Sequence, residues 1–257
     1  MSVAAQIGHL GSRAFLRSLR QPGALFFSLG FPLVFLAVVA SGLDRASDLP
    51  GFPDDSFLDF MMVVPFVHGS LFTAINSAVE LGRDIETGFL NRLALTPARG
   101  IALMLGNLAG AVALALVQFS IYFAGAAVAG AEFEAGLLGV PVLFALAAMI
   151  AVAFGAVGMA IALRTGSSDG VQGMFPLFFV TLFLSSMNMP RDLVEADWFR
   201  WVATVNPVSY LIEGLRSLAI SGWDPQALAL GFGFAVTVIA ASVTVATLAF
   251  RDRLTRT

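Results

Sequence analysis

Long uncharged and mostly apolar runs alternate along this chain with short polar segments. Six runs approach or exceed the roughly 20 residues that an α-helix needs to cross a bilayer. The predicted membrane spans are residues 21–43, 60–79, 100–128, 137–163, 170–188 and 226–250. The first run is longer than the apolar part of a signal peptide, which has about 7–15 residues, so we expect an uncleaved span. The pattern predicts an all-α integral membrane protein with one domain over residues 1–257.

The segment before the first span, residues 5–20, has two different faces when it is drawn as a helix. One face carries Arg13, Arg17 and Arg20, whereas apolar side chains occupy the opposite face. A helix with this pattern is typical of the membrane interface. We therefore expect it to rest in the headgroup layer with its arginines toward anionic lipid.

A second polar segment, residues 80–97, separates the second and third predicted spans. Its charges alternate in sign, and apolar residues recur at every fourth position, which predicts an amphipathic helix. Gly88 is expected to break or kink this helix, and Thr96-Pro97 ends it. A charged helix between two spans is a suitable shape for binding a soluble partner, and an ordinary solvated loop is the alternative.

The segment between the last two spans, residues 189–223, is too apolar for a free loop. Asn206 is a suitable N-cap with Pro207 at the first helical position, and Glu213 and Arg216 are spaced to pair on one helical face. We predict two short helices joined at residues 205–207 and dipping back into the outer leaflet, where surrounding protein must cover the irregular backbone. This segment also contains three aromatic side chains that are typical of a membrane interface, Trp198, Trp201 and Tyr210.

Composition narrows the possible functions. The chain is 58% hydrophobic and 12% charged, whereas soluble domains carry about 25% charged residues. It has no cysteine, which excludes disulfides and thiolate chemistry, and its fourteen basic residues are all arginine. A chain without lysine cannot contain a P-loop, so we expect no nucleotide-binding motif and no enzyme activity of its own. The net charge of −3 gives no support for nucleic-acid binding, and the sequence suggests no metal site.

The distribution of arginine predicts the orientation. If both termini face the cytoplasm, ten arginines lie on the inner side and four on the outer side, as the positive-inside rule favours. The inner set is Arg13, Arg17, Arg20, Arg83, Arg92, Arg99, Arg164, Arg251, Arg253 and Arg256, and the outer set is Arg45, Arg191, Arg200 and Arg216. This orientation places residues 80–97 in the cytoplasm.

Two groups of residues, in order along the chain, form a recognisable pattern. They are Glu80, Arg83-Asp84, Glu86, Gly88, Leu93 and Thr96-Pro97, then Met189-Pro190, Asn206-Pro207, Tyr210, Glu213 and Arg216. The pattern resembles the permease subunit of ABC-2 type exporters, and most of all the small permeases of the daunorubicin-resistance kind. The resemblance covers essentially the whole chain. One departure is Asn107, where this family would have a basic residue.

The resemblance implies a half-transporter in a bacterial plasma membrane. Two such chains, identical or paralogous, would pair with two copies of a separate ABC ATPase that holds ATP and Mg, with no cofactor on this chain. The residues implied to couple the permease to the ATPase are Glu80, Arg83, Asp84, Glu86, Gly88, Arg92, Thr96 and Pro97. Those implied to shape the outer hairpin are Met189, Pro190, Trp198, Asn206, Pro207, Tyr210, Glu213 and Arg216.

The resemblance also suggests what is transported. In the family the second and fifth spans line the path, and here they carry many aromatic side chains, so a lipophilic drug or lipid is the leading expectation. The path residues implied are Phe66, Phe72, Asn76, Phe175, Phe178, Phe179 and Met187. The alternative is that these aromatics face lipid or only pack helices together.

Two other functions compete with this interpretation. A proton-coupled secondary transporter usually keeps an ionisable residue inside a span, and His68 is the candidate here. We favour a structural role for His68, with its ring hydrogen-bonded between helices. A membrane protein that only binds a partner, such as an immunity protein, is the second alternative, and the charged segment 80–97 argues against it.

Overall fold

The computed structural model describes residues 2–88 and 100–254, and in this part of the chain every regular element is a helix. The prediction of an all-α membrane protein is confirmed. The α-helices are α1 Val3–Leu19, α2 Pro22–Gly42, α3 Phe57–Met61, α4 Val64–Glu86, α5 Gly100–Val128, α6 Gly136–Thr165, α7 Ser168–Gln172, α8 Phe175–Phe183, α9 Asp197–Val205, α10 Pro207–Arg216 and α11 Pro225–Leu254.

Among the described residues, five helical segments are long and apolar enough to cross a membrane. They are Pro22–Gly42, Phe57–Glu86, Met104–Val128, Gly136–Thr165 and Pro225–Phe250.

The predicted fifth span, residues 170–188, is instead divided between α7 and α8. The break falls at Gly173 and Met174, and Pro176 lacks the N–H that would bond to the Gln172 carbonyl in a continuous helix. Ser168 bonds to the last residue of α4, whereas Met187 lies near the start of α3–α4. Residues 168–187 therefore run the length of α4 without forming one continuous helix, and the count of six spans stays a prediction.

Helix α4 is the centre of the bundle. In the most apolar stretch of α3 and α4, 94% of the residues are buried inside the protein. The corresponding shares are 22% for α2 and 11% for α11. It packs against α2, α5, α6 and α7. The contact with α6 is so close that a Cβ at Gly158 would lie 2.9 Å from the Ala78 Cβ. Only glycine allows this approach.

Helix α1 packs along the first half of α5 rather than standing apart from the protein. The two helices touch through small residues, and a Cβ at Gly106 would lie 2.6 Å from the Cβ of Leu10. Such small-residue contacts allow helix backbones to approach closely. The expectation that all three arginines of α1 face lipid is wrong for Arg17, which turns toward α4.

The boundary predicted between the second span and the polar helix at residues 79 and 80 is absent. Helix α4 continues without interruption to Glu86. It ends there because Gly88 takes a left-handed conformation, with φ of +67°, that glycine adopts without strain. The predicted helix break at Gly88 is confirmed. Arg92, Thr96 and Pro97 lie outside the described residues.

Both ends of the described chain lie at the same end of the bundle. Arg17 of α1 contacts the end of α4, and Ala246 and Ala249 of α11 join a small apolar cluster with Ala78 and Leu81. This arrangement places the termini on the same side as Asp84. Which side faces the cytoplasm stays a prediction.

Candidate functional site

The predicted coupling residues begin in an ion-pair cluster at the end of α4. Arg17 of α1 places its Nη1 2.9 Å from Asp84 Oδ1 and its Nε 3.5 Å from Glu80 Oε1. Gln21, just before α2, also donates a hydrogen bond to Glu80 Oε1. The cluster therefore joins α4 to the first two helices. It borders a small cleft lined by Leu10, Arg13, Ala14, Arg17, Glu80, Leu81, Asp84 and Asn107.

Two residues beyond Asp84, α4 is attached to the first residue of α7. The Glu86 carboxylate accepts hydrogen bonds from the Ser168 N–H at 2.8 Å and from the Ser168 hydroxyl at 3.2 Å. The backbones also approach closely here, since a Cβ at Gly82 would lie 2.8 Å from Ser168 N. Displacing the end of α4 would therefore also displace α7.

The structure divides the predicted coupling residues into two groups. Arg83 and Glu86 are exposed, whereas Glu80 is buried and Asp84 is half-buried. We expected all of these charges to project toward a partner, but Glu80 and Asp84 pair with Arg17, and the exposed Glu86 bonds to Ser168. Arg83 is therefore the exposed positive charge that α4 offers a partner at this end.

A buried polar connection that the sequence did not reveal crosses the middle of the bundle. Gln118 of α5 accepts a hydrogen bond from the Thr73 hydroxyl and donates one to Ser28 Oγ, both at 2.8 Å. Tyr122 donates a further bond to the Ser28 carbonyl at 2.5 Å. Inside a bilayer such groups have no water to bond, so these contacts fix α2, α4 and α5 together. The signal available in the sequence was Gln118, a strongly polar residue within an otherwise apolar span.

Near the start of α4, Arg216 at the end of α10 is a buried residue of the hairpin. It donates hydrogen bonds to the carbonyls of Phe60, Ser186 and Met187 at 3.0, 3.0 and 2.8 Å. Its guanidinium carbon lies 3.5 Å from the centre of the Phe60 ring. Burial lowers the pKa of Arg216 to about 9, and the negative charge of Glu213 acts in the opposite direction, so the side chain stays protonated at neutral pH.

The predicted pair of Glu213 with Arg216 is wrong. Glu213 instead accepts a 2.6 Å hydrogen bond from Arg191 Nη2, and the Arg191 guanidinium lies 4.7 Å from the Tyr210 ring centre. The spacing of three residues allows a pair on one helix, but Arg216 instead reaches a carbonyl of α3 and two carbonyls of the segment that follows α8.

The predicted two-helix hairpin is present, with α9 ending at Val205 and α10 starting at Pro207. The N-cap role of Asn206 is confirmed, because its side chain accepts a hydrogen bond from the Val208 N–H at 3.0 Å. Its amide nitrogen also donates to two carbonyls of the α8 end at 2.6 and 3.0 Å. Met189 and Pro190 are half-buried, and Trp198 is exposed. Insertion of the hairpin into the outer leaflet stays a prediction.

The predicted path residues do not form one surface. Phe72 of α4 packs with Phe175 and Phe179 of α8, at ring-centre distances of 6.0 and 5.8 Å. Phe66 instead packs against Phe119 and other rings of α5 and α6. Two further members, Asn76 and Phe178, are half-buried, while Met187 is fully buried and presents its carbonyl to Arg216.

Comparison with known protein families gives a match over most of the chain. The family model described as ABC-2 type transporter matches residues 5–220. The chain belongs to this family. An ABC-2 permease is the membrane subunit of its transporter and not itself the ATPase, and it works with an ABC ATPase subunit.

Individual relatives agree with this assignment. The ABC-2 chain is 27% identical to the transport permease ycf38 of Porphyra purpurea over 216 residues, which are 82% of this chain and 72% of the relative. It is 24% identical to the doxorubicin resistance ABC transporter permease protein DrrC of Mycobacterium tuberculosis over 156 residues, 61% of this chain and 55% of the relative. The chain is thus a multi-pass membrane permease.

Proposed function

We propose that this chain is the permease half of an ATP-driven exporter for lipophilic small molecules or lipids. Two permease chains, identical or paralogous, would pair with two ATPase subunits that hold ATP and Mg. The exposed apolar face of α2, which includes Phe26, Phe27, Val34 and Val38, is suited to a second permease chain or to lipid. Both termini would be cytoplasmic, and the plasma membrane of a bacterium would be the location.

The continuity of α4 is the observation that carries this proposal. Arg83 is exposed at one end of the helix, and Phe72 belongs to the aromatic group in its middle. The two residues are eleven apart, which corresponds to about 16 Å along an unbroken helix. A force applied by a partner at Arg83 would therefore move Phe72 without an intervening hinge.

The contacts of α4 extend this movement to its neighbours. Arg17 attaches α1 to the same end of the helix, and Glu86 attaches the start of α7, which precedes α8. Helix α8 supplies Phe175 and Phe179 to the aromatic group. A displacement at the end of α4 would consequently reach both sides of the aromatic group, as export of a lipophilic compound between helices requires.

The test is an Arg83→Glu variant expressed with its ABC ATPase partner. Losing a charge pair at a partly desolvated interface costs about 2–5 kcal/mol, so retention of the ATPase should fall thirtyfold or more. ATP-dependent accumulation of the lipophilic dye rhodamine 6G in inverted vesicles should fall with it. A protonophore should leave wild-type transport intact.

The matched control is Arg45→Glu, which reverses an exposed arginine at the opposite end of the bundle and should change neither readout. Dye transport that stops with the protonophore, continues without ATP and ignores position 83 would support a proton-coupled transporter instead. Normal ATPase retention by the Arg83→Glu variant would contradict docking at this end of α4.

A further inference from the structure

His68 occupies an unusual position in the middle of α4. Its side chain is completely buried, and Nδ1 lies 3.2 Å from the Val64 carbonyl of its own helix. The interpretation that its ring is bonded between helices is therefore wrong. A carbonyl can only accept, so Nδ1 carries the proton and the other ring nitrogen of the neutral imidazole, Nε2, is an acceptor.

This acceptor is not used. Nε2 is buried and has no hydrogen-bond partner within residues 2–88 and 100–254. Buried polar atoms are nearly always bonded in native proteins, because losing water without a replacement bond is unfavourable. An unpartnered Nε2 in the centre of a transport protein therefore points to a ligand.

Aromatic rings enclose the imidazole. Phe31 and Phe35 of α2 lie 5.9 and 5.1 Å from it between ring centres, Phe179 of α8 lies at 6.3 Å, and Phe72 of α4 lies at 6.5 Å. Three helices thus contribute to one apolar enclosure with a single polar acceptor. Flat aromatic compounds pack favourably against such rings.

We propose that this enclosure is a binding site for neutral aromatic compounds that carry a hydrogen-bond donor, such as a phenolic hydroxyl, with His68 Nε2 as the acceptor. The rings of α2 and α8 would enclose the aromatic part, and the single lone pair would select the donor. Compounds of the same shape without a donor would leave Nε2 unpaired and bind more weakly.

The site is closed in this structure, and α8 is the wall best suited to open. This helix has nine residues and ends in a turn on either side, so it can move as a unit without breaking a long helix. On its outer side, Leu177, Val180 and Phe183 are exposed to the surroundings of the bundle. A lipophilic phenol dissolved in the bilayer would thus meet α8 directly.

This site gives the proposed exporter a substrate class, and so it rests on the proposed function. Ligand binding is nevertheless measured on the permease alone, without ATPase or ATP. A failed binding test would leave ATP-driven export standing, and a failed export test would leave the binding site standing.

The first experiment compares 2-naphthol with 2-methoxynaphthalene, in which a methyl group replaces the donor hydrogen. Equilibrium dialysis against the permease in nanodiscs, corrected with empty nanodiscs, gives both affinities. We expect naphthol to bind about three- to tenfold more tightly, which is the contribution of one hydrogen bond. His68→Leu should remove this preference while leaving the affinity for methoxynaphthalene unchanged.

Two further variants serve as controls. His9→Leu removes the other histidine of the chain, lies in α1, and should keep the preference. His68→Gln retains an acceptor and should keep part of it. Equal binding of the two compounds by the wild type, or a naphthol preference that survives His68→Leu, would overturn the proposal.

The second experiment needs no variant at position 68. Because the chain has two histidines, its ¹⁵N-histidine NMR spectrum contains only two imidazoles, and His9→Gln assigns them. Adding 2-naphthol should shift the Nε2 resonance of His68 as it accepts a hydrogen bond, and 2-methoxynaphthalene should not. An unchanged Nε2 resonance at saturating naphthol would contradict the assignment of Nε2 as the acceptor.

Discussion

One arginine from another helix lies at each end of the α3–α4 segment, but the two arginines have different partners. At one end, Arg17 pairs with two carboxylates, Glu80 and Asp84. At the other end, Arg216 has three backbone carbonyls, and Glu213 pairs elsewhere. Side-chain exposure also differs, since Arg17 is 31% exposed whereas Arg216 is 5% exposed as a residue.

The different partners of the two arginines predict how each end responds to a substitution. A carboxylate can lose or exchange its charge partner, and the Arg17 cluster is partly open to water, which weakens each pair. Carbonyls at broken helix ends cannot be removed by substitution, and the Arg216 site is closed. The Arg216 end is thus expected to act as a fixed support, and the Arg17 end as a contact that can rearrange.

The largest effect is expected for Arg216→Leu. It leaves three buried carbonyls without donors and removes the cation stacked on Phe60. We expect a loss of about 3–5 kcal/mol in the free energy of unfolding, measured by SDS-induced unfolding in mixed micelles.

The Arg216→Lys variant tests whether charge alone is sufficient. A single ammonium cannot reproduce the planar fork of the guanidinium, so it should restore only part of the lost stability. Full stability in Arg216→Leu would show that these carbonyls find other donors.

A smaller effect is expected for Arg17→Leu, which leaves the buried Glu80 without its cation. Because Arg17 is partly exposed and solvent screens the charges, the expected loss is about 1–2 kcal/mol. The double variant Arg17→Leu/Glu80→Gln should be more stable than the sum of the two single losses predicts. Purely additive losses in this double-mutant cycle would mean that the two side chains do not interact.

The smallest effect is expected at the pair that the sequence did not predict. Arg191 and Glu213 have side chains 23% and 24% exposed, so Glu213→Gln should lower the free energy of unfolding by about 1 kcal/mol or less. Exchanging the two charges, in Arg191→Glu/Glu213→Arg, should restore part of this loss. If Glu213 instead supported Arg216, its substitution would destabilise the protein about as much as Arg216→Leu.

Helices whose pattern is local were predicted closely. The uncharged runs at 100–128 and 137–163 correspond to Gly100–Val128 and Gly136–Thr165, because composition and length decide whether a segment is helical in a bilayer. No single continuous helix covers 170–188, because the helix breaks at Gly173 and Met174, before Pro176. The boundary predicted at 79 and 80 is absent, because a change in polarity was taken for a helix end. Polarity reports a change of environment and not a break in the backbone.

Side-chain partners were predicted less well. Glu213 and Arg216 satisfy the three-residue spacing rule, yet each has a partner from a distant segment. The same holds for Arg17, which lies 67 residues from Asp84. Sequence spacing identifies which residues could meet on one helix, but it contains no information on which helices are neighbours.

The sequence by itself determined that this protein is helical, that it lies in a membrane and that residues 80–97 and 189–223 are its distinctive segments between spans. Hydrophobicity and helix signals act over a few turns, so they can be recognised without knowing the fold. Only the tertiary structure decided that α4 is central and that Arg17 and Arg216 lie at the two ends of the α3–α4 segment. It also showed that His68 Nε2, surrounded by phenylalanine rings, has no hydrogen-bond partner among the described residues. These features depend on close packing between helices that lie far apart in the chain. Contacts between such helices are close in space, and the pattern of neighbouring residues in the sequence does not reveal them.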